Sequence, residues 1–136
     1  MPADVLMWAR EMLGRQPFSA MLNAQLDAFA PGSAELSVPV VPGLLQQHGF
    51  VHGGVLSYLA DNALTFAGGS VLGDSVTSEF KINYLRPAKD ADRLLAVATV
   101  VGSGKTQAVC RCDIFVLHGE ERTLCAAAQG TIRKAA

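Results

Sequence analysis

A single carboxylate, Asp61, stands inside a long apolar run that follows the segment Gln46-Gln47-His48-Gly49-Phe50-Val51-His52-Gly53-Gly54. The run from Val55 to Ala67 reads as a helix. Ser57, Asp61 and Thr65 recur at steps of four, which on a helix puts them on one face. Val55, Leu56, Leu59, Ala60, Ala63, Leu64, Phe66 and Ala67 fill most other positions, so the helix should be buried nearly all round, with a narrow polar seam. A lone carboxylate there is costly unless something uses it. The His-Gly-Gly ahead of it falls at the start of the helix. Helix N-termini carry unsatisfied backbone N–H groups and a partial positive charge, and so can stabilise a developing oxyanion. The chemistry these parts suit is carboxylate catalysis beside an oxyanion site.

Other chemistries fit less well. Ser57 has no histidine placed to activate it, which argues against a serine nucleophile. His52 lacks the second histidine and acid that a metal site needs. His48 and His118 read as exposed loop residues. Cys110, Cys112 and Cys125 do not form the C-x-x-C spacing and read as buried strand residues. No glycine-rich phosphate loop, internal repeat or low-complexity stretch is present.

The elements that must position these groups are legible in outline. Residues 3–15 have helical apolar spacing and end at Gly14. Residues 20–30 and 34–41 alternate like strands about a Pro31-Gly32 turn. A loop opened by Pro39, Pro42 and Gly43 runs to about Val51. The buried helix should stop at Gly68-Gly69, a C-cap signal. Four strands follow: Val76 to Leu85, Arg93 to Val101, Thr106 to Leu117 and Thr123 to Arg133, with turns at Gly102-Ser103-Gly104 and His118-Gly119-Glu120. This is an α+β chain: one antiparallel sheet around one long buried helix, with a short helix in front, forming a single domain over residues 1–136.

With 136 residues, 50% of them hydrophobic, the chain is too apolar for disorder and rich enough in apolar surface to suggest a buried subunit interface. Asp61 and Asn62 interrupt the only long apolar run, so no membrane span is expected. Met1-Pro2-Ala3-Asp4 shows no export signal, and a cytoplasmic protein is expected. A net charge of −1 gives no general attraction to nucleic acid. Only Arg10 and Arg15 among the 11 cationic residues precede position 81. The second half is therefore net positive, which suits an anionic ligand or simply a solvated sheet face.

At this level of detail the chain resembles the hotdog-fold acyl-CoA thioesterases of the phenylacetate-degradation (PaaI) type. That family's pattern is an amide residue, a glycine three positions on, His-Gly-Gly, then an acid nine positions after the histidine. Here it falls on Gln46, Gly49, His52-Gly53-Gly54 and Asp61, and the segment Asn83-Tyr84-Leu85-Arg86-Pro87-Ala88 resembles the strand after the helix. The similarity spans about residues 18–134. Phenylacetate-type members usually have Asn at the position of Gln46. The similar hydroxybenzoyl-CoA thioesterases have Gln there but generally pair it with Glu, so this chain mixes the two patterns.

The resemblance implies hydrolysis of an acyl-CoA, aromatic or medium-chain, without metal or organic cofactor. It also implies a homodimer or tetramer with active sites shared between chains. Asp61 would be general base or nucleophile, and Gly53, with Gly54, would offer backbone N–H to the thioester oxygen. Gln46 would position the water or the carbonyl, or be a plain loop residue. His52 would bond the carbonyl or only hold the loop. Thr65 and Thr77 would orient water or substrate, with Thr65 bonding back to its own turn as the competitor. Arg86, Lys89 and Lys105 would meet coenzyme A phosphates, or be solvated charge. Phe66, Leu64 and Met21 could wall the acyl pocket, and Trp8 and Met12 could line it or simply pack. Two rival readings are a non-catalytic acyl-CoA-binding subunit and a thioesterase for acyl carrier protein.

Overall fold

The computed structural model describes residues 3–135; Met1 and Pro2, on which part of the export reading rests, and Ala136 lie outside them. Helix α1 (Ala3–Gly14) and a five-residue α2 (Pro17–Met21) precede β1 (Gln25–Ala30) and β2 (Ser33–Pro39). A 3-10 turn at Pro42–Leu44 leads to α3 (Gly53–Leu72), followed by β3 (Ser75–Tyr84), β4 (Arg93–Ser103), β5 (Gln107–His118) and β6 (Glu121–Lys134). The six strands form one antiparallel sheet in the order β1-β2-β4-β5-β6-β3. α3 lies against its concave face and packs on strands from β1 to β6.

Strand alternation follows the sequence. Along β5, Ala108, Cys110, Cys112, Ile114 and Val116 face α3, while Arg111 points outward. Leu59, Ala60, Ala63, Leu64 and Ala67 of α3 are fully buried against that face, joined by Leu36, Leu94 and Ile132. β3 is an edge strand of ten residues, and its inner row of Phe80 and Ile82 is only half-buried. In α1, Ala9 and Leu13 are buried, and the helix packs on β1.

Three boundaries differ from the sequence reading. Residues 17–21 are helical, because Pro17 occupies the first helical turn, where its missing N–H is not needed. Gly102 and Ser103 belong to β4, which carries a bulge between Val100 and Gly102, so the turn falls at 104–106. α3 does not stop at Gly68-Gly69 but runs to Leu72 and ends at Gly73, whose φ is 87°. Gly68 serves close packing instead: a Cβ there would stand 2.7 Å from Cβ and Cγ2 of Ile132. Gly130 marks a second tight approach, 2.5 Å from the Glu79 carbonyl oxygen by the same construction.

The three cysteines are buried and free, as the sequence suggested. Burial pushes the thiols of Cys110 and Cys125 from the ordinary 9.0 up to about 11, and Cys112 up to about 12. The charge of Asp113 adds to the rise at Cys112.

Two predictions follow from this packing. Gly68→Ala and Gly69→Ala should move stability in opposite directions. At Gly69 the nearest atom to a new Cβ is Ser75 Oγ, 3.9 Å away, so the helix gain of about 0.5–1 kcal/mol should appear. At Gly68 the overpacking cost of about 1–3 kcal/mol should outweigh that gain. Urea midpoints at one protein concentration would read both; a stabilised Gly68→Ala would refute the close helix–sheet contact. Secondly, the thiols should resist a disulfide-exchange reagent in native protein at pH 8 and react once denatured. Since the folded values lie above the unfolded one, the neutral thiols' contribution is intact below about pH 9 and lost as pH rises toward 11–12.

Candidate active site

The site residues fall into two groups at different heights of α3. The first surrounds Asp61. Its Oδ1 accepts a hydrogen bond of 2.6 Å from Thr77 Oγ1 on β3. Thr65 Oγ1 lies 2.7 Å from Thr77 Oγ1 and 2.8 Å from the Asp61 carbonyl oxygen. A carboxylate only accepts, so the Thr77 proton belongs to Asp61. Thr65 then donates either to Thr77 or back to its own helical turn. The hydroxyl of Thr65 thus reaches its own helical turn, the competing reading, and also Thr77. Among the described residues no donor reaches Asp61 Oδ2. The half-buried residue lines a groove of about 390 Å³ with Phe18, Tyr58 and Val76. Such an oxygen can take a proton from water or attack a carbonyl carbon.

The second group surrounds the start of α3. His52 is the N-cap, with φ −60° and ψ 135°, and its Nδ1 accepts from Gly54 N–H at 2.8 Å. Val55 N–H bonds the His52 carbonyl. Of the first three N–H groups of the helix, that leaves Gly53 with no acceptor among the described residues. His52 thus holds the loop and occupies Gly54, while Gly53 is the donor left free. The helix dipole adds to its pull on an anion. Gln46 closes the preceding turn, with its N–H on the Phe50 carbonyl and its own carbonyl on Gly49 N–H. Its side chain lines a groove of about 380 Å³ together with Phe50, Gly53, Tyr84 and Arg86.

Arg86 also lines a cleft of about 550 Å³, with Lys89 and His118. Asp90, Asp92 and Glu121 share its walls, so its charge is mixed. Lys105 does not join them. It sits in the β4–β5 turn, at the far end of a twelve-residue strand from His118, roughly 35 Å away. His48 and His118 are exposed as expected, the latter with Nδ1 3.8 Å from Asp92 Oδ1. Ser57 is half-buried and meets no histidine among the hydrogen-bonded pairs of the described residues. No group of three His, Cys, Asp or Glu side chains among the described residues could hold a metal ion.

A third groove, about 200 Å³, adjoins the Asp61 groove and shares Gln16, Asn62, Thr65 and Ser75 with it. Its apolar walls are Trp8, Met12, Phe29 and Phe66, with Phe29 and Phe66 edge-to-face at 6.1 Å. Trp8 and Met12 therefore line a cavity rather than only pack. Leu64 does not contribute, because it is fully buried against the sheet, and Met21 is 69% exposed at the end of α2. Sequence reasoning missed the polar cluster beside Asp61. Ser19 Oγ donates to Gln16 Oε1 at 2.6 Å, Tyr58 OH to Ser19 Oγ at 2.5 Å, and Asn62 Nδ2 to Gln16 Oε1 at 2.9 Å. Asn62 at the step after Asp61 was the available signal.

A family model of the thioesterase superfamily matches residues 48–123. The chain belongs to that superfamily. The match begins just before His52-Gly53-Gly54 and includes Asp61 and all of β3. The acyl-coenzyme A thioesterase PaaI of Escherichia coli is 30% identical over 116 residues, 85% of this chain and 81% of that protein. A crystal structure of a thioesterase family protein from Silicibacter pomeroyi shares 35% identity and a TM-score of 0.86, over 91% of this chain and 93% of that one. The structure of the E. coli PaaI protein from the phenylacetic acid degradation operon gives a TM-score of 0.86 at 26% identity, over 96% and 94%. The antiparallel sheet around a long helix is therefore the hotdog fold of a thioester hydrolase, as the sequence motif indicated. Among the described residues, no helix of this thioesterase is long and apolar enough to cross a membrane.

Proposed function

We propose that the protein is an acyl-CoA thioesterase that releases a carboxylic acid and free coenzyme A, with Asp61 Oδ2 as the reacting group. The observation that carries this is the asymmetric carboxylate of a groove-lining residue: Thr77 holds Asp61 Oδ1, while Oδ2 has no donor among the described residues. As general base, Oδ2 would take a proton from water as the water oxygen attacks the thioester carbon. As nucleophile, it would attack that carbon itself, and water would later cleave the mixed anhydride. In both routes the carbonyl oxygen gains negative charge, and the C–S bond breaks with the electron pair leaving on coenzyme A sulfur. An aromatic or medium-chain acyl group suits the apolar end formed by Trp8, Met12, Phe29 and Phe66.

One chain cannot supply the whole site. Gly53 and Asp61 are eight residues apart on α3, about 12 Å of axial rise. An oxyanion donor and a base must both lie within about 3 Å of their reacting atoms. An antiparallel pairing of two α3 helices about Ser57, midway between them, would bring Gly53 of one chain beside the partner's Asp61. The free edge of β3 supports such a pairing, since a long exposed edge invites a second strand. Val76, Tyr84 and Leu85 on or beside it are 41–54% exposed. We therefore read residues 1–136 as one domain and a homodimer or tetramer as the working form. Gln46 belongs to the Gly53 half and would position carbonyl or water there. Arg86 and Lys89, adjoining that half, would meet coenzyme A phosphates. Lys105 leaves the proposed set, being at the other end of the sheet. The acidic residues in the Arg86 cleft weigh against an acidic carrier protein as substrate.

Asp61→Asn keeps shape but loses the base or nucleophile, so the rate should fall by about 10²–10⁴-fold while binding of a non-hydrolysable acyl-CoA survives. A folded variant hydrolysing near the parent rate would remove the mechanism. Gly53→Pro deletes the free N–H with the backbone otherwise kept, since proline suits the first helical position and His52 already has extended φ and ψ, and the added Cβ would stand in ordinary contact, 3.4 Å from Tyr84 Cε1. It should cost about 10²–10³-fold. Refolding the two inactive chains together at equal amounts should restore about a quarter of parental activity, because half the dimers then carry one intact site. No recovery would place both groups in one chain. Reversing charge at Arg86 or Lys89 should raise KM about five- to tenfold and change kcat less, because phosphate binding is remote from the chemistry. Unchanged KM in both variants would locate the nucleotide elsewhere.

A further inference from the structure

The Asp61 groove and the apolar groove meet at Gln16 and Asn62, and the chemistry of that seam is fixed by the buried cluster behind it. Ser19 is 1% exposed, and it holds Gln16 Oε1 while accepting from Tyr58. Asn62 Nδ2 is spent on the same cluster, 2.9 Å from Gln16 Oε1 and 3.1 Å from Tyr58 OH. That leaves Asn62 Oδ1 and Gln16 Nε2 without a partner among the described residues. Neither is a sealed-off orphan, because no buried side-chain nitrogen or oxygen among those residues lacks a hydrogen bond. Both atoms therefore keep some solvent exposure, and both residues line the two grooves. The pairing also constrains the amides jointly. If both were turned over, Gln16 would donate to Ser19 and Asn62 would accept, and the exposed atoms would be Gln16 Oε1 and Asn62 Nδ2. Either way one amide presents N–H and the other C=O at the seam.

We infer that this seam selects acyl groups carrying a hydroxyl close to the thioester carbonyl, with an apolar remainder beyond. A hydroxyl both donates and accepts, so it can satisfy the two amides together. Its position follows from the helix. Asn62 is the residue after Asp61, whereas Phe66 is one turn further and Gly69 about 12 Å from Asp61 along α3. The polar pair lines the same groove as Asp61, whereas the aromatic walls belong only to the adjoining groove, which puts the amides nearer the reacting carbon. A substituent on the second or third carbon reaches the seam; one at the far end of the chain meets Trp8, Phe29 and Phe66 instead. An unsubstituted acyl group would strip water from both amides and return no hydrogen bond, which is how a site rejects an analogue lacking the matching group.

The inference rests on the thioesterase reading, and the experiment separates the two. Initial rates are compared for octanoyl-CoA and 3-hydroxyoctanoyl-CoA, and for 3-phenylpropanoyl-CoA and 3-hydroxy-3-phenylpropanoyl-CoA. The parent enzyme should favour the hydroxylated member of each pair by about tenfold or more in kcat/KM. In Asn62→Leu and in Gln16→Leu that ratio should fall toward one. A ratio near one in the parent, or one unchanged in both folded variants, overturns the inference and leaves the thioesterase reading standing. If no acyl-CoA is hydrolysed, the thioesterase reading fails. Calorimetric binding of 3-hydroxyoctanoate against octanoate then still reads the seam, equal affinities overturning it and a tenfold preference upholding it. The same binding measurement on the parent decides the matter should both leucine variants fail to fold.

Discussion

Everything in this molecule is subordinate to burying one helix. α3 is apolar on nearly every side, so water must be excluded from most of its circumference, and one flat layer cannot do that. The sheet answers by curving, with bulges in β1, β3, β4 and β6 opposite their neighbours, which increase local twist and bend the strands. Closeness sets the terms of the packing. Gly68 lets the helix reach Ile132, and Gly130 lets β6 approach β3 closely at Glu79 and Phe80, just past the β3 bulge between Thr77 and Glu79. The helix axis, and with it the position of every polar atom on its open seam, is fixed by contacts on the opposite side.

That arrangement explains why a carboxylate can sit in so apolar a helix. Asp61 lies on the side the sheet does not fully cover, so its desolvation is partial. Thr77, brought beside it by the edge strand, supplies one hydrogen bond. The same face carries Tyr58 and Asn62, which tie α2 to α3 through Gln16 and Ser19. A five-residue helix has little stability of its own, and this polar anchor holds it where its first turn borders the Asp61 groove. The site is thus built from groups whose positions depend on two different packing layers.

The parts of this that were legible in the sequence are those with local signals. The step of four through Ser57, Asp61 and Thr65 marked the polar seam, because helical geometry alone converts that spacing into a face. Alternation revealed β3 to β6 to within a few residues. His-Gly-Gly marked the helix start, though not that His52 would consume the Gly54 N–H and leave Gly53 free. What was misread depends on distant partners. Gly68-Gly69 has the form of a helix stop, and only Ile132, far along the chain, makes Gly68 an interior contact. Lys105, in the β4–β5 turn, and Arg86, after β3, belong to the same positive half of the chain but to opposite ends of the sheet, since strand length separates what sequence places together. Gln16 with Ser19, and Tyr58 with Asn62, stand at helical spacings within their own segments, but the two pairs are about 40 positions apart, so local periodicity could not show that they meet.

The separation of Gly53 from Asp61 gives the fold its functional logic. A helix is a rigid ruler, and eight residues of it hold the free N–H and the free carboxylate oxygen about 12 Å apart whatever the loops do. Within one chain that distance keeps them from acting on the same carbonyl. It also leaves each with an unsatisfied demand: a donor with no acceptor, and a half-solvated carboxylate. An antiparallel contact between two copies would answer both demands twice over, because a two-fold axis repeats every pairing. The exposed edge of β3 poses the same problem in backbone form, with a row of unpaired N–H and C=O groups flanked by half-buried Phe80 and Ile82. Catalytic competence and edge protection would then come from one interface. On this reading a change that weakens β3 pairing should act on kcat even where it lies far from Asp61.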